Sequence, residues 1–85
     1  MKIYADITND EIEEIYIFIS NNIKKIRTSK KLTQLDMALS MGFTTATFYT
    51  NAENYKDNKH FNLEHIIKIS KILDVKICEI LDINI

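Results

Sequence analysis

Isoleucines recur in the first third of the chain at the spacing of one helical face. The positions of this stripe are Ile12, Ile15, Ile19, Ile23 and Ile26. Steps of three and four residues place side chains on one side of an α-helix, and they predict a helix over residues 9–29. We expect residues 1–8 to form an N-terminal arm, residues 9–82 a single domain and residues 83–85 a C-terminal tail.

The residues that begin helices follow one grouping, in which a side chain that caps the helix is flanked by two hydrophobic residues. Thr8 and Glu11 also have the spacing of a capping box. The four predicted caps are Thr8, Thr33, Thr44 and Asn62. They predict further helices over residues 33–41, 45–53 and 62–73. A fifth helix over 76–82 has a weaker start, because Lys76 offers no acceptor, and Asp74 is the alternative cap.

Gly42 is the single glycine of a chain that contains no proline. This composition argues against tight hairpins and favours helices, so the fold class is predicted to be all-α. Gly42 separates the second and third predicted helices, where a left-handed residue commonly ends a helix. Two short helices joined by a turn of three or four residues that contains glycine are typical of a helix-turn-helix unit.

The near-neutral charge of the chain is the sum of two opposed blocks. The 85 residues have a net charge of −1, but residues 1–20 carry one cation and five anions. Residues 21–32 carry five cations and no anion. Because salt screens distant charges, this local basic block can attract a polyanion. The alternative interpretation is a solvated helix end, where cations interact favourably with the helix dipole.

The remaining composition excludes several functional classes. No apolar run approaches the roughly 20 residues that a membrane span needs, and the lone cysteine favours the cytoplasm. We expect Cys78 to be a packed thiol. His60 and His65 do not complete a zinc site with it, so neither a metal nor a cofactor is expected. The sequence contains no phosphate loop, nucleophile elbow or paired catalytic carboxylates, so an enzyme is not expected.

Four stretches carry a family resemblance. They are Ile23-Lys-Lys-Ile-Arg27, Leu32-Thr-Gln-Leu-Asp-Met-Ala-Leu-Ser-Met-Gly-Phe-Thr44, Glu53-Asn54 and Leu63-Glu-His-Ile-Ile-Lys-Ile-Ser-Lys-Ile-Leu-Asp-Val75. Together they resemble the lambda-repressor/Cro-like helix-turn-helix family, also called the xenobiotic-response-element type. The resemblance implies a five-helix DNA-binding domain and a transcriptional regulator whose third helix lies in the major groove.

The resemblance also implies structural roles for individual residues. Ala38 packs the second helix against the third, Gly42 makes the turn, and Arg27 pairs with Glu53 to bridge the first and third helices. Two departures from the family pattern stand out. Glu53 falls eleven residues after Gly42 rather than ten, so one additional residue must fit in the turn or in the third helix. Lys31 stands where the family often has glycine.

The predicted third helix has no basic residue, so base contacts would come from hydroxyl, amide and methyl groups. The predicted base contacts are Thr44, Thr45, Ala46, Thr47, Thr50 and Asn51. We expect Phe48 and Ala52 to face the core, which leaves Tyr49 more exposed. The predicted phosphate contacts are Thr33, Gln34, Lys30, Lys31, Lys56 and Lys59. They follow from the anion-binding start of the second helix and from flanking lysines. The expected partner is double-stranded DNA, bound by a homodimer.

An alternative is a protein-interaction module, or an antitoxin-like partner, that retains the helix-turn-helix scaffold. It rests on the missing cations of the third helix and on Leu35 and Leu39, which replace usually polar residues on the outer side of the second helix. These two leucines are candidate contacts for a protein partner. The apolar residues 16–18 raise the same question, and for them we expect cover from residues 1–6, Ile83 and Ile85.

Overall fold

The computed structural model describes residues 7–83, which form five α-helices and one short 3-10 turn. The helices are α1 (Asn9–Ser29), α2 (Gln34–Ser40), α3 (Thr47–Glu53), α4 (Leu63–Leu73) and α5 (Ile77–Ile80), with the 3-10 turn at Lys56–Asn58 between α3 and α4. The predicted all-α, five-helix architecture is therefore confirmed. The expected arm and tail fall largely on residues 1–6 and 84–85, outside the described part of the chain.

Capping boxes begin three of the helices. In α1, the Thr8 side chain accepts from the Glu11 amide and the Glu11 carboxylate accepts from the Thr8 amide. Reciprocal pairs of the same kind begin α2 at Thr33 and α4 at Asn62. These short-range bonds satisfy amides that have no partner within the helix, which explains why the starts of α1, α2 and α4 were predictable.

The predicted cap at Thr44 is wrong. Residues 44–46 are bends, and α3 begins at Thr47 after Ala46, whose side chain makes no capping bond. The connection from α2 to α3 is therefore longer than the three or four residues expected. The fifth helix is also shorter than predicted, and Lys76 precedes it without a capping bond. Asp74 does not cap α5, because it adopts a left-handed conformation at the end of α4.

Three helices end in the same way. Lys31, Gly42 and Asp74 have positive φ values of 59°, 93° and 54°. In each case the amide of the next residue bonds back to a carbonyl five positions earlier, as from Phe43 to Ala38. This is the Schellman arrangement, in which glycine adopts the left-handed conformation without steric cost. A Cβ at Gly42 would meet no neighbour within 4 Å, so backbone conformation alone explains this glycine.

The core lies where the five helices meet. Its fully enclosed side chains include Ile23, Met37, Tyr49, Phe61, Ile69, Leu73 and Ile80. Polar bonds fix α1 against its neighbours. The Ser20 hydroxyl donates to the Ala52 carbonyl at 3.0 Å. The side-chain amide of Asn22 donates to the backbone carbonyls of Ile80 and Asp82 at 2.9 and 3.0 Å. The second half of α1 is thus held by both α3 and the end of the chain.

The isoleucine stripe of α1 divides into two parts. Ile19 and Ile23 are buried, whereas Ile12 and Ile15 are exposed. Farther round the helix, Ile17 is also exposed, and the Tyr16 ring stacks on His60 with centroids 3.8 Å apart. Ile83, one of the residues expected to cover this face, is partly buried and packs against the core. The rest of the expected cover, residues 1–6 and Ile85, lies outside the described residues.

Two further expectations concern single side chains and the membrane. Cys78 is exposed, not packed, because α5 turns only Ile80 into the core. Tyr49 is fully buried and Phe48 only partly, so the expected exposure of Tyr49 is wrong. Ala52 does face the core, as predicted.

Among residues 7–83, no helix has both the length and the apolar character of a membrane span.

Candidate nucleic-acid interface

A buried ion pair joins the end of α1 to the end of α3. Arg27 Nε donates to Glu53 Oε2 at 2.9 Å, and Arg27 Nη2 donates to Glu53 Oε1 at 2.9 Å. Arg27 Nη1 also donates to the Leu32 carbonyl at 2.6 Å. Arg27 therefore connects α1 both to Leu32, just before α2, and to Glu53, at the end of α3. The contact with Glu53 is the pairing that the family resemblance implies.

The Gln34 side chain connects the Glu53 carboxylate to the Thr50 hydroxyl on α3. Its Nε2 donates to Glu53 Oε1 at 3.1 Å, and its Oε1 accepts from Thr50 Oγ1 at 3.0 Å. Burial raises the pKa of the Glu53 carboxyl, but the hydrogen bonds from Arg27 and Gln34, together with the nearby Tyr49 hydroxyl, outweigh burial and leave this pKa below its ordinary value. Glu53 is therefore a carboxylate that orients α1, α2 and α3 together.

Tyr49 lies beside this network with its ring inside the core. Its hydroxyl is enclosed and has no hydrogen-bond partner within normal distance and geometry. Burial is the main cause that raises the pKa of this phenol, and the nearby Glu53 carboxylate raises it further. Tyr49, rather than the expected Phe48, is the fully buried aromatic residue of α3, so a phenol hydroxyl lies inside the core.

Hydroxyl groups dominate the surface at the start of α3. Thr44, Thr45 and Thr47 are exposed, and Thr45 Oγ1 lies 3.4 Å from Thr47 Oγ1. Ala46 packs partly against the core. Thr50 and Asn51 are half-buried on the following turn. The predicted base-contact residues therefore form a neutral surface of small polar groups, and the Thr50 hydroxyl points to Gln34.

Exposed lysines flank this surface in sequence. Lys30 and Lys31 follow α1, and Lys56 and Lys59 lie in the loop after α3. The ion pairs of residues 7–83 are Arg27–Glu53 and Lys68–Glu64, so these four lysines keep their charges available. The loop that carries Lys56 and Lys59 is shaped by left-handed residues at 55, 57 and 58.

The first turn of α2 combines polar and apolar exposed groups. Thr33 and Asp36 bond reciprocally at 2.9 and 3.0 Å, and the bond from the Thr33 amide is the main cause that lowers the pKa of Asp36. Leu35 and Leu39 are 48% and 53% exposed on the same helix. The start of α2 thus carries a carboxylate beside the predicted phosphate contacts, and α2 presents two uncovered leucines.

His65 packs among three aromatic rings, although sequence reasoning gave it no structural role. Its ring centroid lies 4.9 Å from Phe48 and 6.2 Å from both Phe43 and Phe61. Nδ1 accepts from the Asn62 amide at 3.1 Å. Burial lowers the pKa of His65. His65 lies three residues after the predicted cap Asn62, which is the position of the second residue of a capping box. Because that position usually holds glutamate or glutamine, the spacing alone did not identify histidine in this role.

Comparison with known families agrees with this geometry. A family model described as "Helix-turn-helix" matches residues 23–80, which include α2, α3 and the ion pair that joins α3 to α1. The chain therefore belongs to the helix-turn-helix family of the lambda-repressor and xenobiotic-response-element type. This is a family of DNA-binding regulators and is not typically enzymatic. No curated protein and no solved structure matches the chain significantly.

Proposed function

We propose that this protein is a cytoplasmic transcriptional regulator that places α3 in the major groove of double-stranded DNA. The observation that carries the proposal is the exposed hydroxyl surface of Thr44, Thr45 and Thr47, held in place by the Arg27–Glu53 pair. Threonine hydroxyls can bond to bases or phosphates, and their methyl groups can contact thymine. Asn51, one turn farther along α3, is suited to the bidentate pairing with adenine.

Binding to the phosphate backbone is assigned to the flanking positions. Lys30, Lys31, Lys56 and Lys59 are exposed cations that would release counterions from DNA. Because the Gln34 side chain bonds to both Thr50 and Glu53, we assign its phosphate contact to its backbone amide. Thr33, the residue directly before Gln34, would lie at the same phosphate. These contacts would set the register of the protein on DNA without reading sequence.

A homodimer fits this mode of binding. Dimers of helix-turn-helix proteins contact two half-sites about 34 Å apart on one face of the duplex. Each α3 offers seven residues and no cation of its own, so one copy has few contacts with which to discriminate sequences. Two linked copies would double both the base contacts and the lysines that face the backbone.

Selection of genomic fragments followed by binding titrations tests the proposal. Replacement of Asn51 by alanine should reduce discrimination between the selected duplex and a scrambled one, by about 1 to 3 kcal/mol if the adenine pairing forms. Replacement of Lys30 and Lys31 by alanine should weaken binding to both duplexes alike. Lys71→Ala with Lys76→Ala, at exposed positions in α4 and before α5, is the matched control for loss of two positive charges.

A second candidate function is binding to another protein through α2. The specific observation that favours it is the exposure of Leu35 and Leu39 one turn apart, beside the carboxylate of Asp36. A protein partner would gain apolar contact with these leucines, whereas the phosphate backbone of DNA offers none. Double replacement of the leucines by serine distinguishes the two functions, because it should leave DNA binding unchanged and abolish only a contact with protein.

A further inference from the structure

The first turns of α1 extend the apolar face of the domain beyond its core. Ile19 and Ile23 of the isoleucine stripe are buried, but Ile15 and Ile12 are 38% and 42% exposed. Ile7, just before the helix, is also exposed. The same face of one helix is thus covered at one end and uncovered at the other within residues 7–83. We call residues 7–15 the α1 overhang.

The overhang is strongly acidic. Its anions are Asp10, Glu11, Glu13 and Glu14, and residues 7–23 contain no lysine or arginine. Ile7, Glu11, Glu14 and Ile15 line a concave region of about 340 Å³. Two isoleucines and two carboxylates around one recess suit a long cationic side chain, whose methylenes pack on the apolar wall while its charge lies at the acidic rim.

The charge of the overhang decides between possible occupants. Pairing with the overhang of a second copy would bring four anions against four, without a cation in either segment. An anionic membrane surface and DNA would be repelled for the same reason. A cationic amphipathic helix satisfies both properties of the surface, because its apolar side would cover the isoleucines and its lysines or arginines would neutralise the carboxylates.

We propose that the α1 overhang docks a basic amphipathic helix of another protein. The apolar side of that helix covers Ile12 and Ile15, and one of its lysine or arginine side chains occupies the recess between Glu11 and Glu14. This surface is separate from the start of α3, so the proposal does not depend on DNA binding. A regulator built in this way would bind its partner at one end of α1, away from the cations at the other end.

Two synthetic peptides test the proposal with the full chain. One is an amphipathic helix of leucine, alanine and lysine, and the other has glutamate in place of every lysine. Calorimetric titration should detect binding of the lysine peptide, weakened by salt, and binding of the glutamate peptide should be weaker by about tenfold or more. Amide shifts in NMR spectra should change mainly within residues 7–19.

Variants separate apolar contact from charge. Ile12→Ser with Ile15→Ser retains every carboxylate and should weaken binding of the lysine peptide by about tenfold or more. Glu11→Gln with Glu14→Gln should also weaken it and reduce its salt dependence, while glutamine can still accept the capping bond from Thr8. Ile67→Ser, at an equally exposed position on α4, is the matched control and should leave binding unchanged. Circular dichroism verifies that each variant is folded.

Several results would overturn the proposal. They are equal binding of both peptides, no binding of either, or full binding by the Ile12 and Ile15 double variant. A dimer in ultracentrifugation that this double variant abolishes would assign the overhang to a second copy. Nuclear Overhauser contacts from residues 1–6 to Ile12 and Ile15, without peptide binding, would assign it to the chain's own N-terminus.

Discussion

Arg27 and Glu53 form a two-bond ion pair between the last turns of α1 and α3, with both N–O distances at 2.9 Å. Their side chains are 9% and 0% exposed. Because Glu53 also accepts from Gln34, one carboxylate positions three helices. The orientation of α3, and with it the hydroxyl surface at its start, depends on this pair.

Replacement of Arg27 by alanine should strongly destabilise the domain. The change leaves Glu53 buried without its cation, and breaking a buried pair in this way costs about 3 to 5 kcal/mol. Urea unfolding followed by circular dichroism measures the loss. Glu64→Ala is the control, because the Glu64–Lys68 pair is exposed and its loss should cost about 0.5 kcal/mol. Equal stability of the Arg27 variant and the parent protein would refute the role assigned to the pair.

Removal of the Tyr49 hydroxyl should not destabilise the protein. The hydroxyl is buried without a hydrogen-bond partner, and an unsatisfied buried polar group costs about 1 to 3 kcal/mol. Tyr49→Phe keeps the ring that packs at 5.2 Å from Phe61. We expect its free energy of unfolding to equal or exceed that of the parent. A clear loss of stability would show that the hydroxyl is bonded in solution.

Substitution of Lys31 by glycine should separate stability from DNA binding. Lys31 is left-handed with φ of 59°, and such a residue carries steric cost that glycine lacks. Lys31→Gly should therefore stabilise the fold by about 0.5 to 1 kcal/mol and yet weaken DNA binding through loss of a phosphate contact. Asp74→Gly, at the equivalent turn after α4, should stabilise the fold without weakening DNA binding. Weakened binding in both variants would argue against the contact at Lys31.

Stability should fall in mildly acidic solution because of His65. Its pKa is lowered in the folded state, chiefly by burial, so the unfolded chain takes up the proton more readily. The contribution of neutral His65 is present above the unfolded pKa of about 6.5 and is lost as pH falls through the folded pKa. Protonation of Nδ1 would also remove the acceptor for the Asn62 amide.

A His65→Gln variant isolates this effect. Glutamine can still accept the capping bond but does not titrate. As the pH is lowered from about 7.5 to about 5.5, the free energy of unfolding should fall less steeply in the variant than in the parent. Identical slopes would mean that His65 does not contribute to the pH dependence.

The fold was largely predictable because its signals are local. The isoleucine spacing gave α1 its observed bounds, and the caps Thr33 and Asn62 mark α2 and α4 as predicted. The start of α3 was not predictable in this way, because Thr44 has the composition of a cap but lies within a longer connection. The helix instead begins at Thr47 without a side-chain cap, and its fully buried aromatic residue is Tyr49, which the local pattern did not indicate.

Exposure was harder to predict than helix position. Spacing places Ile12 and Ile23 on one stripe, but it does not say how far the core extends along α1. That limit is set by α3, α4 and α5, which contact α1 through residues distant in sequence, such as Ala52 and Ile80. For the same reason Cys78 was expected inside and lies outside. The assignment of individual residues to bases or phosphates stays a prediction.

Binding of a selected duplex at two salt concentrations is the most direct test of the central claim. At about 50 mM salt the protein should bind the selected duplex more tightly than a scrambled one, and both affinities should fall steeply at about 200 mM. Asn51→Ala should narrow the difference between duplexes, while the Lys30 and Lys31 double variant should lower both affinities and flatten the salt dependence. Failure to bind any duplex at about 50 mM salt would contradict the assignment of α3 to the major groove.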